Sequence, residues 1–103
     1  PQYLAIHPSV PARDVKELVA LSKQRKMNYA SVSPGSASHL TMEMLKAASG
    51  MDITHIPYKG AAPAVVDLIG GQVDAAFLVP GNITQFVQEG KAKVIATSST
   101  RRF

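Results

Sequence analysis

Short apolar runs alternate with helical stretches along the whole of this chain, and that alternation limits the fold more than any single motif does. Tyr3-Leu4-Ala5-Ile6 is stopped by His7-Pro8 and predicts a first strand. Asp14, with Glu17 three residues on, forms a capping-box pattern that opens a helix. Val15, Leu18, Val19 and Ser22 follow helical spacing, and the basic run Lys23 to Lys26 closes it. Met27 to Ser31 predicts a second strand, and Val32 to Ser36 a loop. A second helix is predicted from about Ser36 to Ser49, with Leu40, Met44, Leu45 and Ala48 on one side, Met42, Met44 and Met51 filling the core, and Gly50 as its left-handed cap. Ile53 to Pro57, Val73 to Val79 and Lys93 to Thr97 predict three more strands. Between them, Ala61 to Ile69 reads as a helix with Pro63 in its first turn, and Asn82 as the cap of a short helix running to Gly90.

This order, β-α-β-α-β-α-β-α-β, predicts an α/β fold: one three-layer unit over residues 1–103 with a five-stranded, mostly parallel sheet and four helices divided between its faces. Strand order 2-1-3-4-5 is the first expectation, with strand five a candidate for an antiparallel edge. The final Arg101-Arg102-Phe103 reads as a cut end, and no basic-then-apolar leader opens the chain.

Composition narrows the function. At 103 residues with 46% hydrophobic and 17% charged, the chain is not of a disordered class. A net charge of +4 favours anionic partners, but the basic residues are dispersed and there is no Trp, which argues against nucleic acid. The absence of cysteine excludes disulfides, thiolate metal sites and cysteine nucleophiles. His7, His39 and His55 lack ligand spacing, so no metal is expected, nor any cofactor. Gly90-Lys91 is not a Walker loop, because Gln85 stands where its first glycine belongs.

In a sheet of this kind ligands bind beyond the carboxyl ends of the strands. That selects the loops Val32 to Ser38, Tyr58 to Ala62 and Pro80 to Ile83, each of which opens a helix. Converging helix N-termini on a basic chain suit a small anion, a carboxylate above all, although ordinary capped turns would have the same composition. His39 either lines that ligand or packs, His55 reads as structural, and Lys59 is the one cation in these loops. A hydrolase would need a Ser36–His39–Asp arrangement, but Ser33-Pro34-Gly35-Ser36-Ala37 is not a nucleophile elbow, and no catalytic residue is assigned. A flavodoxin-like interaction module with purely structural loops is the alternative reading.

Met27-Asn28-Tyr29-Ala30-Ser31, Gly35-Ser36, His39-Leu40, the stretch Asp52 to Gly60, Pro63-Ala64, Gly70-Gly71-Gln72-Val73-Asp74, Gly90-Lys91 and Ala96-Thr97-Ser98 together resemble the second lobe of the Bug-type solute-binding proteins of bacterial tripartite tricarboxylate transporters. The resemblance runs from Tyr3 to Arg102, and Thr54 to Gly60 with Gly70 to Asp74 are its most specific parts. It implies a periplasmic receptor, not an enzyme, with a type II periplasmic-binding fold whose two lobes close on a small organic carboxylate. The first lobe would be missing from this chain, and the transporter's membrane subunits would be partners of the intact receptor. Implied contacts on this lobe are Ser33, Gly35, Ser36, His39, Tyr58, Lys59, Gly60 and Asn82. The chain departs from the family at Ser33-Pro34, where glycine and asparagine are frequent, and at Val79-Pro80-Gly81, where an acidic or amide residue is frequent. A lone lobe is also expected to self-associate through its exposed loop face.

Overall fold

The structure is a computed structural model that describes residues 2–32 and 35–97. Ser33, Pro34 and the Arg101–Phe103 end lie outside the described residues. Nine elements follow in the expected order: β1 (Tyr3–Ile6), α1 (Val15–Ser22), β2 (Asn28–Ser31), α2 (Ala37–Ser49), β3 (Thr54–Pro57), α3 (Ala61–Ile69), β4 (Ala75–Leu78), α4 (Pro80–Gln88) and β5 (Lys93–Thr97).

The strands form one five-stranded sheet in the order β3-β2-β4-β1-β5, not 2-1-3-4-5. β2 pairs in parallel with β3 and β4, whereas β1 pairs antiparallel with both β4 and β5. Four strands therefore share one direction, and the reversed strand is β1, inside the sheet, rather than β5. Its apolar run announces burial on both faces but carries no information on direction. The reversal has a consequence for the site: Tyr3 pairs with Leu78 and Thr97, so the start of β1 lies at the end of the sheet where β4 and β5 finish.

The two faces are packed differently. Leu4, Ile6, Tyr29 and Phe77 project to one face, beneath Leu18 of α1 and Met42 and Leu45 of α2. The opposite face carries an alanine row, Ala30–Ala76–Ala5, directly paired across the three central strands, beneath Ala64 and Leu68 of α3 and Ile83 of α4. Period-2 alternation within each strand produces this division.

Helix ends follow capping chemistry, with two departures. The Asp14 carboxylate accepts the Glu17 N–H at 2.8 Å, but Glu17 reaches back to the Arg13 N–H at 2.7 Å, one residue before the cap. Gly50 closes α2 at φ 75°, where a side chain would be strained. Asn82 is not a cap: α4 begins at Pro80, whose fixed φ and missing N–H suit a first helical position, and Val79 precedes it. On α2, Met42, Leu45 and Ser38 are the buried residues, whereas Leu40 and Met44 are 55% and 68% exposed. The helix offers apolar residues on two sides, and the sheet takes the Met42 side. Asp74, the one charge in the fourth apolar run, precedes β4 and accepts the Asn28 N–H at 2.9 Å, tying the starts of β2 and β4 together.

Candidate functional site

An open cleft of about 600 Å³ lies at the carboxyl ends of β2, β3 and β4. Its walls come from the β2–α2 segment (Val32, Ala37, Ser38), the β3–α3 loop (Tyr58, Lys59, Gly60, Ala61) and the β4–α4 junction (Leu78, Val79, Asn82). Gln2 completes it, brought there by the reversed β1. Sequence reasoning missed Gln2 because a parallel β1 would have started at the other end of the sheet.

The cleft is held by backbone ties between neighbouring loops. The Tyr58 N–H donates to Ser31 O at 2.9 Å and the Gly60 N–H to Val32 O at 2.6 Å. Gly60 sits at φ 109°, a conformation that favours glycine, and this lets the loop turn directly into α3. The Tyr58 hydroxyl donates to the Asp67 carboxylate at 2.6 Å, and burial with this bond pushes the phenol up to about 12. The Ser38 hydroxyl accepts the Val32 N–H at 3.0 Å and lies 3.1 Å from the Ser36 hydroxyl.

Of the residues singled out in the sequence, Tyr58, Lys59, Gly60 and Asn82 line the cleft. Gly35, Ser36 and His39 do not line it; they build the turn that leads into α2. Ser36 accepts the His39 N–H at 3.4 Å as the helix cap, and the Gly35 N–H donates to His39 Nδ1 at 2.9 Å. This geometry turns the imidazole away from hydrolase chemistry with Ser36. A Ser–His contact does exist between Ser31 Oγ and His55 Nε2 at 2.6 Å, but Ser31 is fully buried and out of reach of any substrate. Among the described residues there is no cluster of three or more groups able to hold a metal.

The electrostatics of the cleft follow from how its helices start. α1 and α2 carry side-chain caps, Asp14 and Ser36. α3 and α4 have none: Gly60 and Val79 stand at their cap positions. Pro63 and Pro80 have no N–H and the Asn82 N–H donates to Val79 O at 3.0 Å, so the first-turn groups of Ala61, Ala62 and Gly81, with the positive ends of the two dipoles, are left without a side-chain acceptor. Among the described residues, Lys59 is the only charged side chain that lines the cleft, and no carboxylate does.

The family model described as tripartite tricarboxylate transporter family receptor matches residues 1–103. This chain belongs to that family. BugT of Bordetella pertussis is 33% identical over 99% of the chain, which covers 32% of BugT. R. palustris Rpa4515, solved with adipate, superposes with a TM-score of 0.93 at 30% identity, over 99% of this chain and 35% of that one. MatC (Rpa3494) from Rhodopseudomonas palustris, solved with malate, gives 0.83 at 25% identity over 99% and 35%. The chain thus spans about a third of the length of the relatives it matches, and its fold is that of an α/β unit of type II periplasmic binding proteins. The Bug-type resemblance read from Thr54 to Gly60 and Gly70 to Asp74 agrees with this membership.

Proposed function

We propose that this chain is the second ligand-binding lobe of a periplasmic receptor for small organic carboxylates, which delivers its cargo to a tripartite tricarboxylate transporter. It is a binding protein, not an enzyme. The observation that carries the reading is the cleft itself, with two helices opening into it without side-chain caps, one lysine and no acid on its walls. A carboxylate placed there would accept from the first-turn amides of α3 and α4, taking the position that Asp14 and Ser36 occupy at the other two helices. Tyr58, Lys59, Gly60 and Asn82 are the direct contacts in this reading, and Gly35, Ser36 and His39 shape the adjoining wall. The relatives solved with adipate and malate support the ligand class.

A two-lobed receptor encloses its ligand, and one lobe supplies about half of that enclosure, leaving the anion open to water. The 103-residue chain alone should therefore bind adipate or malate in the roughly millimolar range, about −4 kcal/mol. The exposed apolar residues of the same face, Val79 among them, would meet the other lobe in the intact receptor and favour self-association of the lone lobe. Titration calorimetry with adipate and the uncharged adipamide, alongside sedimentation, tests both points. Millimolar binding of adipate alone is expected, and equal response to adipamide would refute a carboxylate site.

A further inference from the structure

Beside the cleft, on the sheet face that carries α2, two imidazoles lie flat against one another. The rings of His39 (α2) and His55 (β3) are 4.0 Å apart and inclined by only 8°. Tyr29 also stacks on His55, at 5.1 Å. We propose that His39 and His55 are a positioning pair that holds the β2–α2 wall of the cleft while both rings are neutral and releases it on acidification, making ligand capture pH-dependent. This rests on the reading of the cleft as the ligand site.

The argument begins with the proton inventory. His39 Nδ1 accepts the Gly35 N–H at 2.9 Å, so it bears no proton and the ring is the neutral Nε2–H tautomer. A proton added to Nδ1 would oppose the Gly35 donor and break that bond. Gly35 sits at φ 78°, a backbone conformation held in part by this contact. The residues that follow, Ala37 and Ser38, line the cleft, and Ser38 in turn holds Val32 through its hydroxyl. Release of Gly35 would therefore loosen Ala37 and Ser38 and, through Ser38, Val32.

The second ring makes the pair sensitive. Two imidazolium ions stacked at 4.0 Å repel one another, so the stack does not survive with both rings charged. His55 is fixed from β2 by Ser31 Oγ at 2.6 Å. From α2 it faces His39, Glu43 and Lys46; the Glu43 carboxylate takes the Tyr29 hydroxyl at 2.5 Å and Lys46 Nζ at 3.3 Å. Burial first, and His39 second, hold His55 below the ordinary histidine range, with Glu43 opposing and Lys46 adding to the effect. The parallel planes also exclude a shared metal, because the ring lone pairs lie in separate planes and do not converge.

The test uses the full 103-residue chain labelled with nitrogen-15, with circular dichroism as the check on folding. Between pH 7.5 and 5.5, protection of the Gly35 amide should fall at least tenfold beyond the intrinsic pH dependence of exchange. His39→Asn places Oδ1 where Nδ1 stood, a non-titrating acceptor, and should keep Gly35 protected at both pH values. His55→Phe keeps a ring against His39 but cannot take up a proton, so Gly35 protection should depend on pH less steeply than in the parent. Adipate should bind several-fold more weakly at pH 5.5 in the parent and equally at both pH values in His39→Asn. A Gly35 amide insensitive to pH in the parent, or His39→Asn retaining the parent's dependence, overturns the pair. Failure of adipate to bind at any pH, with Gly35 protection falling as described, strikes the ligand reading and not the pair.

Discussion

The two faces of the sheet are built for different ends. On the α1/α2 face, Leu4, Ile6, Tyr29 and Phe77 meet Leu18, Met42 and Leu45, and both helices have side-chain caps. On the α3/α4 face the middle of the central strands presents the small residues Ala5, Ala30 and Ala76, with Leu78 and Tyr3 at the cleft end, and both helices start without side-chain caps. The first face buries volume and settles its own polar groups. The second leaves room for two helices to lie near the strands and starts both of them without a side-chain acceptor.

Substitutions that trade the character of the two faces should separate them. The largest effect is expected from Phe77→Ala, which empties a fully buried position and should cost about 3–5 kcal/mol in chemical denaturation. Ala76→Leu probes the opposite face: it adds volume to the alanine row and should cost about 1–3 kcal/mol by overpacking. If Ala76→Leu were neutral, the row would not be a close contact and the contrast between the faces would fail. Ser36→Ala should cost about 1 kcal/mol by uncapping α2. Ser36 does not line the cleft, but its hydroxyl lies 3.1 Å from that of Ser38, which does, so adipate affinity should fall several-fold as the turn loosens; unchanged affinity would confine Ser36 to capping.

The smallest effects are those of pH, read as shifts in Tm. His55 has its folded-state value lowered, so the unfolded chain binds the proton more readily and stability should decline as pH falls below about 6.5. Tyr29 and Tyr58 are raised, mainly by burial and then by their bonds to Glu43 and Asp67, so stability should also decline as pH rises above about 10. Tyr29→Phe should remove part of the alkaline loss and, because the Tyr29 hydroxyl is the main group holding Glu43 low, also lessen the loss of stability as pH falls below about 4.5.

The element order was legible because each run carries its own period and its own stop signals, as at His7-Pro8 and Gly70-Gly71. Strand direction was not, because an apolar run such as Tyr3–Ile6 is the same in either direction; Gln2 was lost to the site with it. The buried side of α2 was misread because Leu40–Met44 and Met42–Leu45 both satisfy helical spacing, and only packing on the sheet decides between them. At the β4–α4 junction residue type favoured Asn82 as a cap, but Pro80 fits the first helical position and moves the start two residues earlier. The loops of the cleft were legible from their place after β2, β3 and β4, whereas the stacking of His39 on His55 joins residues 16 apart by number and leaves no sequence signal.

The central claim is that the uncapped ends of α3 and α4 receive a carboxylate. Titrating adipate into the nitrogen-15-labelled chain at pH 7.5, and following every amide, tests it directly. The account predicts that the largest shifts fall on Ala61, Ala62 and Gly81, saturate in the millimolar range and are absent with adipamide. Shifts centred on the far end of the sheet, or equal shifts from adipamide, would contradict it.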